Sequence, residues 1–151
     1  MRWVLVAAFI LGSAAAQAQS GSEEAAAWCS GRGSPTADQQ MAGCNWIIAA
    51  ADTDPRRRGG AYGNRGNLRF ARGDRAGALA DYNEGIRLSP GNHAIFNSRG
   101  NLRYAQRDLR RAMADYSESI RLDPSYPLAY NNRARVRYDR GDIPGALADF
   151  T

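Results

Sequence analysis

The sequence predicts an all-α protein in which helix hairpins stack into a solenoid, and the main observation behind this prediction is an internal repeat. Residues 93–126 are identical to residues 59–92 at 16 of 34 positions, and residues 127–151 continue the same pattern. A period of this length leaves room for two helices and a turn in each copy. One such hairpin cannot bury its apolar face alone, so successive copies are expected to stack.

Turn residues divide each copy into two predicted helices. Gly73 is the permissive residue that ends the first helix of the first copy, and Asp74 can cap the second helix. Asp108 and Asp142 stand at the equivalent cap position in the other copies. The predicted helices are residues 61–72, 75–88, 94–107, 109–122 and 128–140, with a last helix that starts at 143.

Marker residues recur at fixed offsets in the copies. They are Tyr62, Arg65, Gly66, Ala78, Asp81 and Tyr82 in the first copy, and Phe96, Arg99, Gly100, Ala112, Asp115 and Tyr116 in the second. Both full copies close on Ile-Arg-Leu-x-Pro. In these features the chain resembles the tetratricopeptide repeat (TPR) family. The resemblance implies a right-handed α-solenoid with units at 59–92, 93–126 and 127–151, the last of them incomplete, and a role as a binding scaffold.

The N-terminal residues have the pattern of a signal peptide. Arg2 precedes an apolar run over residues 3–11, and Ala16-Gln17-Ala18 is typical of a cleavage site, so residues 1–18 are predicted to be removed. The apolar run is shorter than the roughly 20 residues that span a bilayer. We therefore expect an exported protein, periplasmic or secreted, with no membrane span in the mature chain.

Residues 19–58 are predicted to form a leading, degenerate helix pair and a linker. Cys29 and Cys44 are the only cysteines, and two cysteines in an exported chain usually pair. The predicted disulfide would tie the two leading helices into an N-terminal cap. His93 is the only histidine, so the sequence predicts no zinc site.

Charge and composition favour a binding protein over an enzyme or a nucleic-acid-binding protein. The chain carries a net charge of +5, and its 20 basic residues, all of them Arg, are spread over the repeats rather than gathered in one run. A clustered basic patch is the usual mark of nucleic-acid binding, so no nucleic-acid partner is expected. No catalytic constellation or phosphate-binding loop is present, and we expect no enzymatic activity, cofactor or metal.

Arginine and aspartate recur at a spacing that suits an antiparallel hairpin. Arg65, Arg99 and Arg133 each stand 16 residues before an aspartate, at Asp81, Asp115 and Asp149 respectively. We expect one structural Arg–Asp ion pair in each unit, bidentate where the geometry permits.

The TPR resemblance also implies that the first helix of each unit lines a concave groove. The candidate groove residues are Asn67, Phe70, Asn97, Asn101, Tyr104, Asn131, Arg135 and Tyr138. Asparagine offers both a donor and an acceptor, so a row of asparagines can hold the backbone of an extended peptide between aromatic walls. The alternative is that these asparagines are only solvated. The sequence thus favours an exported protein–protein interaction scaffold that binds a peptide or helix.

Two other functions remain open at this stage. The pattern of the third unit stops within its second helix, which would leave Leu147 and Phe150 without a covering neighbour. The chain could be a truncated segment of a longer array that self-associates through this end. It could also be the non-catalytic part of a larger enzyme.

Overall fold

The computed structural model describes residues 21–150, so the predicted signal peptide lies outside the described residues. The chain divides into two compact units, Met1–Thr53 and Asp54–Thr151, which are described separately below. All the regular secondary structure of the described residues is α-helical, which confirms the predicted fold class. None of the described helices is both long and apolar enough to cross a membrane.

The first unit contains helix α1, described from residue 21 to residue 29, and helix α2, Ala37–Ala49. The Cys29–Cys44 disulfide joins them, with the two Cα atoms 4.6 Å apart, and confirms the predicted pairing. Both cysteines are buried. Gly43 allows the helices this close approach, because a Cβ on it would lie 2.6 Å from the carbonyl oxygen of Ala25.

The second unit consists of three helix hairpins. They are formed by α3 (Pro55–Ala71) with α4 (Arg75–Leu88), α5 (His93–Ala105) with α6 (Leu109–Leu122), and α7 (Pro127–Asp139) with α8 (Ile143–Asp149). Successive hairpins are in contact through α4 and α5 and through α6 and α7, while α3, α5 and α7 adjoin in turn. The hairpins therefore stack in chain order, as the solenoid prediction requires.

Helix α3 begins earlier than the sequence predicts. Residues 55–58, assigned to the linker, form its first turn. The side chain of Asp54 accepts a hydrogen bond from the backbone N–H of Arg56 at 2.6 Å, and Pro55 occupies the first turn. An aspartate cap followed by proline is a strong helix start, and it outweighs the loop-like composition of this stretch.

The turn inside each hairpin has the same geometry. Asp74, Asp108 and Asp142 each cap the second helix by accepting a hydrogen bond from a backbone N–H three residues later. The residue before each cap has a positive φ: 82° at Gly73, 62° at Arg107 and 81° at Gly141. The second hairpin thus forms the same turn with arginine in place of glycine.

Tyrosines fill the space between the hairpins. Tyr82 and Tyr116 are almost completely buried. Ile95 and Leu102 of the second hairpin pack in the same cluster as Tyr82, and Val136 of the third packs with Tyr116. The equivalent residue of the third hairpin, Phe150, is 65% exposed.

Candidate functional site

The candidate site is the side of the second unit on which α3, α5 and α7 adjoin, here called the groove. A recess of about 190 Å³ lies between α3 and α5, and Asn64, Asn67 and Ser98 are among its lining residues. A second recess of about 300 Å³ lies between α5 and α7 and is lined by Asn101, Tyr104, Ala105, Tyr116, Asn132 and Arg135. Polar side chains therefore follow one another along the groove.

Two groove asparagines are held by buried tyrosines. The Tyr82 hydroxyl donates to Oδ1 of Asn67 at 2.8 Å, and the Tyr116 hydroxyl donates to Oδ1 of Asn101 at the same distance. Burial raises the pKa of both tyrosines well above the usual range, so each hydroxyl keeps its proton. With the amide oxygens occupied, Nδ2 of Asn67 and of Asn101 is the group that the groove offers to a ligand.

Asn97 and Asn131 do not lie where the sequence predicts. Asn97 is only 5% exposed, and its Oδ1 accepts a hydrogen bond from Nδ2 of Asn132 at 2.9 Å. Asn131 is exposed but lines a different recess at the end of the third hairpin, together with Tyr130 and Phe150. At Asn97 this helix position faces the next hairpin rather than the groove, and in the third hairpin Asn132, one residue after Asn131, lines the groove instead.

Only one of the three predicted aromatic walls lines a groove recess. Phe70 packs against the buried cluster around Tyr82, and Tyr138 is 66% exposed and lines neither recess. Tyr104 lies in the recess between α5 and α7. The aromatic surface expected from the sequence is therefore limited to a single ring.

Tyr104 is the centre of a polar cluster that joins the second and third hairpins. The Arg135 guanidinium lies 4.5 Å from the centroid of the Tyr104 ring, and its Nε donates to the Tyr104 hydroxyl at 3.3 Å. That hydroxyl donates to Oδ2 of Asp139 at 2.7 Å. Nη1 of Arg107 lies 3.6 Å from the same carboxylate oxygen. The sequence predicts Tyr104 and Arg135 as groove residues, but not Asp139 or Arg107.

Each hairpin also contains a buried aspartate whose carboxylate accepts two hydrogen bonds from the guanidinium of one arginine. Arg65 donates through Nε and Nη2 to Asp81 at 2.9 and 2.7 Å. Arg99 contacts Asp115, and Arg133 contacts Asp149, in the same bidentate way at 2.5–3.1 Å. Asp81, Asp115 and Asp149 are 2%, 3% and 8% exposed, so these pairs lie within the hairpins and not at the groove.

A second arginine, not predicted from the sequence, contacts each of these aspartates. Arg69, Arg103 and Arg137 approach Asp81, Asp115 and Asp149 at 3.1, 2.8 and 3.3 Å. Their recurrence four residues after the first arginine was the available signal, because residues four apart share a helix face. The first arginine also links hairpins: Nη1 of Arg99 donates to Asn83 at 2.8 Å, and Nη1 of Arg133 donates to Ser117 at 3.4 Å.

The described residues hold no cluster of three or more His, Cys, Asp or Glu side chains that could bind a metal ion.

The stacked hairpins and the polar side on which their first helices adjoin define an α-solenoid repeat protein. Residues 100–141 match the family model described as TPR repeat. Together with the structural similarities below, this match confirms the resemblance to tetratricopeptide repeats found in the sequence.

Several solved structures resemble this chain, and two of those described here are TPR domains. The second TPR of Spaghetti (RPAP3), bound to the HSP90 peptide SRMEEVD, is 26% identical, with 63% of this chain and 88% of that chain covered and a TM-score of 0.61. The first TPR domain of human RPAP3 is 19% identical, with coverages of 82% and 97% and a TM-score of 0.65. MamA is 16% identical, with coverages of 76% and 64% and a TM-score of 0.65. A comparison with curated protein sequences finds no match.

Proposed function

We propose that the protein is an exported interaction scaffold that holds an extended segment of a partner protein in its groove. The observation that carries the proposal is the fixing of Asn67 and Asn101 by buried tyrosine hydroxyls. An amide held in this way presents its N–H groups without having to be ordered on binding, which lowers the entropic cost of association. The backbone carbonyls of an extended peptide are matching acceptors.

The similarity to a peptide-bound TPR domain supports a peptide as the ligand. In that structure the TPR of Spaghetti (RPAP3) is bound to an HSP90 peptide. The N-terminal pattern of residues 1–18 and the pairing of Cys29 with Cys44 support export, because disulfides persist in oxidising compartments.

A substitution that turns the two donors into acceptors tests the groove. In the double variant Asn67→Asp and Asn101→Asp, each side chain keeps an oxygen for its tyrosine but replaces the donor by an acceptor. Peptides selected by the wild-type protein from a displayed library of random decapeptides should bind this variant at least about tenfold more weakly. Asn83→Asp with Asn131→Asp carries the same charge change away from the groove recesses and should bind as the wild type does. The proposal would be contradicted if the selected peptides bound both double variants equally well, or if the wild-type protein selected no peptide from the library.

Export is tested separately. The whole chain is fused to a reporter that is active only outside the cytoplasm. Activity of the fusion is expected, and it should be lost when residues 2–18 are deleted. A fusion that remains inactive with the full N-terminus would refute export without affecting the groove.

Self-association is the second candidate, and the exposure of apolar side chains in the third hairpin favours it. Leu128, Leu147 and Phe150 are 55%, 61% and 65% exposed. Burial of such side chains between two copies would remove apolar surface from water. Light scattering should then show a dimer that Leu147→Glu dissociates, whereas a monomer at all concentrations would exclude this candidate.

A further inference from the structure

The turns inside the three hairpins bring arginines together at one edge of the second unit, here called the turn edge. Residues 54–151 contain 18 arginines and 11 acidic residues, so this unit has a surplus of positive charge. Because the hairpins stack in chain order with their first helices adjoining, the three turns lie side by side. The exposed arginines in or next to these turns are Arg72, Arg75, Arg107, Arg110, Arg111 and Arg140. Folding therefore gathers at one edge cations that are dispersed in the sequence.

Three of these arginines stand where a helix disfavours a cation. The N-terminus of a helix carries a partial positive charge, which favours acidic side chains in the first turn. Helix α4 instead begins with Arg75, and α6 has Arg110 and Arg111 in its first turn, while neither first turn contains an acidic residue. These arginines therefore do not serve the helices that carry them.

Arg107 is unfavourable in its own turn as well. Its φ of 62° lies in the left-handed region, which is strained for a residue with a side chain, and Gly73 and Gly141 form the same turn in the other hairpins. Its Nη1 lies 3.6 Å from Oδ2 of Asp139, but the Arg107 side chain is 77% exposed, and an exposed pair contributes little. Strain of this kind is often found at functional sites.

The aspartates at the turn edge are engaged with the protein itself. Asp139 accepts the hydroxyl of Tyr104. The others each accept a backbone N–H of the second helix of their hairpin, and they are Asp74, Asp108 and Asp142. Asp108 also lies 3.2 Å from Nη1 of Arg111. Four aspartates thus stand beside six exposed arginines, and the edge keeps an excess of positive charge.

The buried ion pairs add to this excess. Each buried aspartate is contacted by two arginines, so one positive charge in each hairpin is not balanced there. The second arginine extends toward the turn edge in the first and third hairpins: Nη1 of Arg69 donates to the carbonyl oxygen of Gly77 at 3.2 Å, and Nη1 of Arg137 donates to that of Gly145 at 2.6 Å. Gly77 and Gly145 both lie in the first turn of a second helix.

We propose that the turn edge is a docking surface for an anionic lipid bilayer. A guanidinium binds a phosphate through two parallel hydrogen bonds, and each hairpin presents such groups. The surface is separate from the groove, since none of the six arginines lines a groove recess. The proposal therefore goes beyond peptide binding and does not depend on it.

The spacing of charges at the turn edge fits lipid head groups better than a nucleic acid. Packed helices lie about 8–10 Å apart, so the arginines of successive turns are separated by roughly this distance, with an aspartate in each turn. Mobile head groups can each move to an arginine and away from an aspartate. Duplex DNA instead carries a fixed row of charges, one per about 1.7 Å of its axis, which would place phosphates against the aspartates.

Vesicle sedimentation tests the proposal on the chain from residue 19, the predicted mature protein, because the apolar run of residues 3–11 would itself bind lipid. Vesicles of phosphatidylglycerol and phosphatidylcholine in equal amounts should bind the protein, and added salt should weaken this binding. Vesicles of phosphatidylcholine alone should not bind it. Absence of binding to the anionic vesicles, or equal binding to both kinds, would overturn the proposal. Tighter binding to duplex DNA than to the anionic vesicles would also overturn it.

Matched variants of the same two helices locate the surface. Arg75→Gln with Arg110→Gln removes two cations at the starts of α4 and α6 and should weaken binding about twentyfold, since each basic residue near an anionic membrane contributes about fivefold. Arg87→Gln with Arg121→Gln removes two exposed cations at the opposite ends of these helices and should bind nearly as the wild type does. Equal weakening in the two variants would overturn the assignment to the turn edge.

A measurement on the wild-type protein needs no variant. Anionic vesicles that contain a spin-labelled lipid should broaden the amide NMR signals of Gly73 and Gly141, in the turns inside hairpins, more than those of Gly91 and Ser125, in the turns between hairpins. Equal broadening of the two pairs, or stronger broadening of Gly91 and Ser125, would overturn the proposal.

Discussion

Gly100 lies against the ring of Tyr116, so closely that a Cβ on residue 100 would be 2.6 Å from Cε1 of the tyrosine. The same distance separates a Cβ on Gly66 from the ring of Tyr82. In the first two hairpins the missing side chain lets a buried tyrosine cross the first helix and reach an asparagine on the groove side. The core and the groove are therefore connected through one side chain in each of these hairpins.

Substitution of this glycine should destabilise the protein. Gly100→Ala forces the Tyr116 ring out of its position, and overpacking of this kind costs about 1–3 kcal/mol, more than the gain of up to about 1 kcal/mol in helix propensity. Gly60→Ala is the control, because a Cβ on Gly60 has no neighbour within 4 Å. That variant should be slightly more stable than the wild type in urea unfolding. Destabilisation of both to the same extent would contradict this account of Gly100.

Loss of a buried aspartate should be more costly. In Asp115→Asn the guanidinium groups of Arg99 and Arg103 lose the carboxylate that lies 2.8 Å from each. Breaking a buried pair on one side costs about 3–5 kcal/mol, and we expect the lower end because both arginines keep some contact with water. Glu118→Gln, in the exposed pair with Arg121, should have little effect on the urea midpoint. A small effect of Asp115→Asn would show that the buried pairs do not stabilise the hairpins.

Relief of the backbone strain at residue 107 should stabilise the protein. Arg107→Gly removes a left-handed conformation that costs about 1–2 kcal/mol, partly offset by about 0.5–1 kcal/mol for the greater freedom of glycine in the unfolded chain. The reverse change, Gly73→Arg, places the same strain in the first hairpin and should lower the melting temperature. Opposite shifts in the two variants are the expected result. A lower melting temperature for Arg107→Gly would mean that its contact with Asp139 outweighs the strain.

Reduction of the disulfide should affect the first unit most. The Cys29–Cys44 loop, with a sequence separation of 15 residues, corresponds to a stabilisation of about 3 kcal/mol. Under reducing conditions, the amides of α1 and α2 should exchange with solvent faster, while those of α5 and α6 are unchanged. The double variant Cys29→Ala with Cys44→Ala should show the same pattern without reductant. Protection of α1 and α2 that survives reduction would contradict a stabilising role.

The sequence predicted the hairpins well because their determinants are local. A capping aspartate such as Asp74 and a turn glycine such as Gly73 act within a few residues of their own position, so a single copy of the repeat already indicates where its helices end. The other copies of the repeat carry similar helix-capping and turn signals. The start of α3 differed most, since the loop-like composition of residues 55–58 concealed a good cap and a proline, and the other bounds in the repeats differ by one or two residues.

The groove was harder to predict because it depends on which side of a helix the next hairpin covers. Asn97 and Asn132 differ by one residue in their place in the repeat, and a step of one residue turns a helix by about 100°. This rotation about the helix axis places one side chain in a buried contact between hairpins and the other in an open recess. Nothing in the sequence of one hairpin fixes this angle, and the contact of Tyr104 with Asp139 likewise exists only once two hairpins have packed.

The contacts of Arg99 with Asn83 and of Arg133 with Ser117 bear on how such an array can grow. Either an amide or a hydroxyl on the previous hairpin satisfies the extra guanidinium nitrogen, so the junction tolerates different neighbours. A gene segment encoding 34 residues could therefore be duplicated or excised in register, and the hairpins on either side would still form this contact. Evolution could lengthen the binding surface in steps of one hairpin without redesigning any interface.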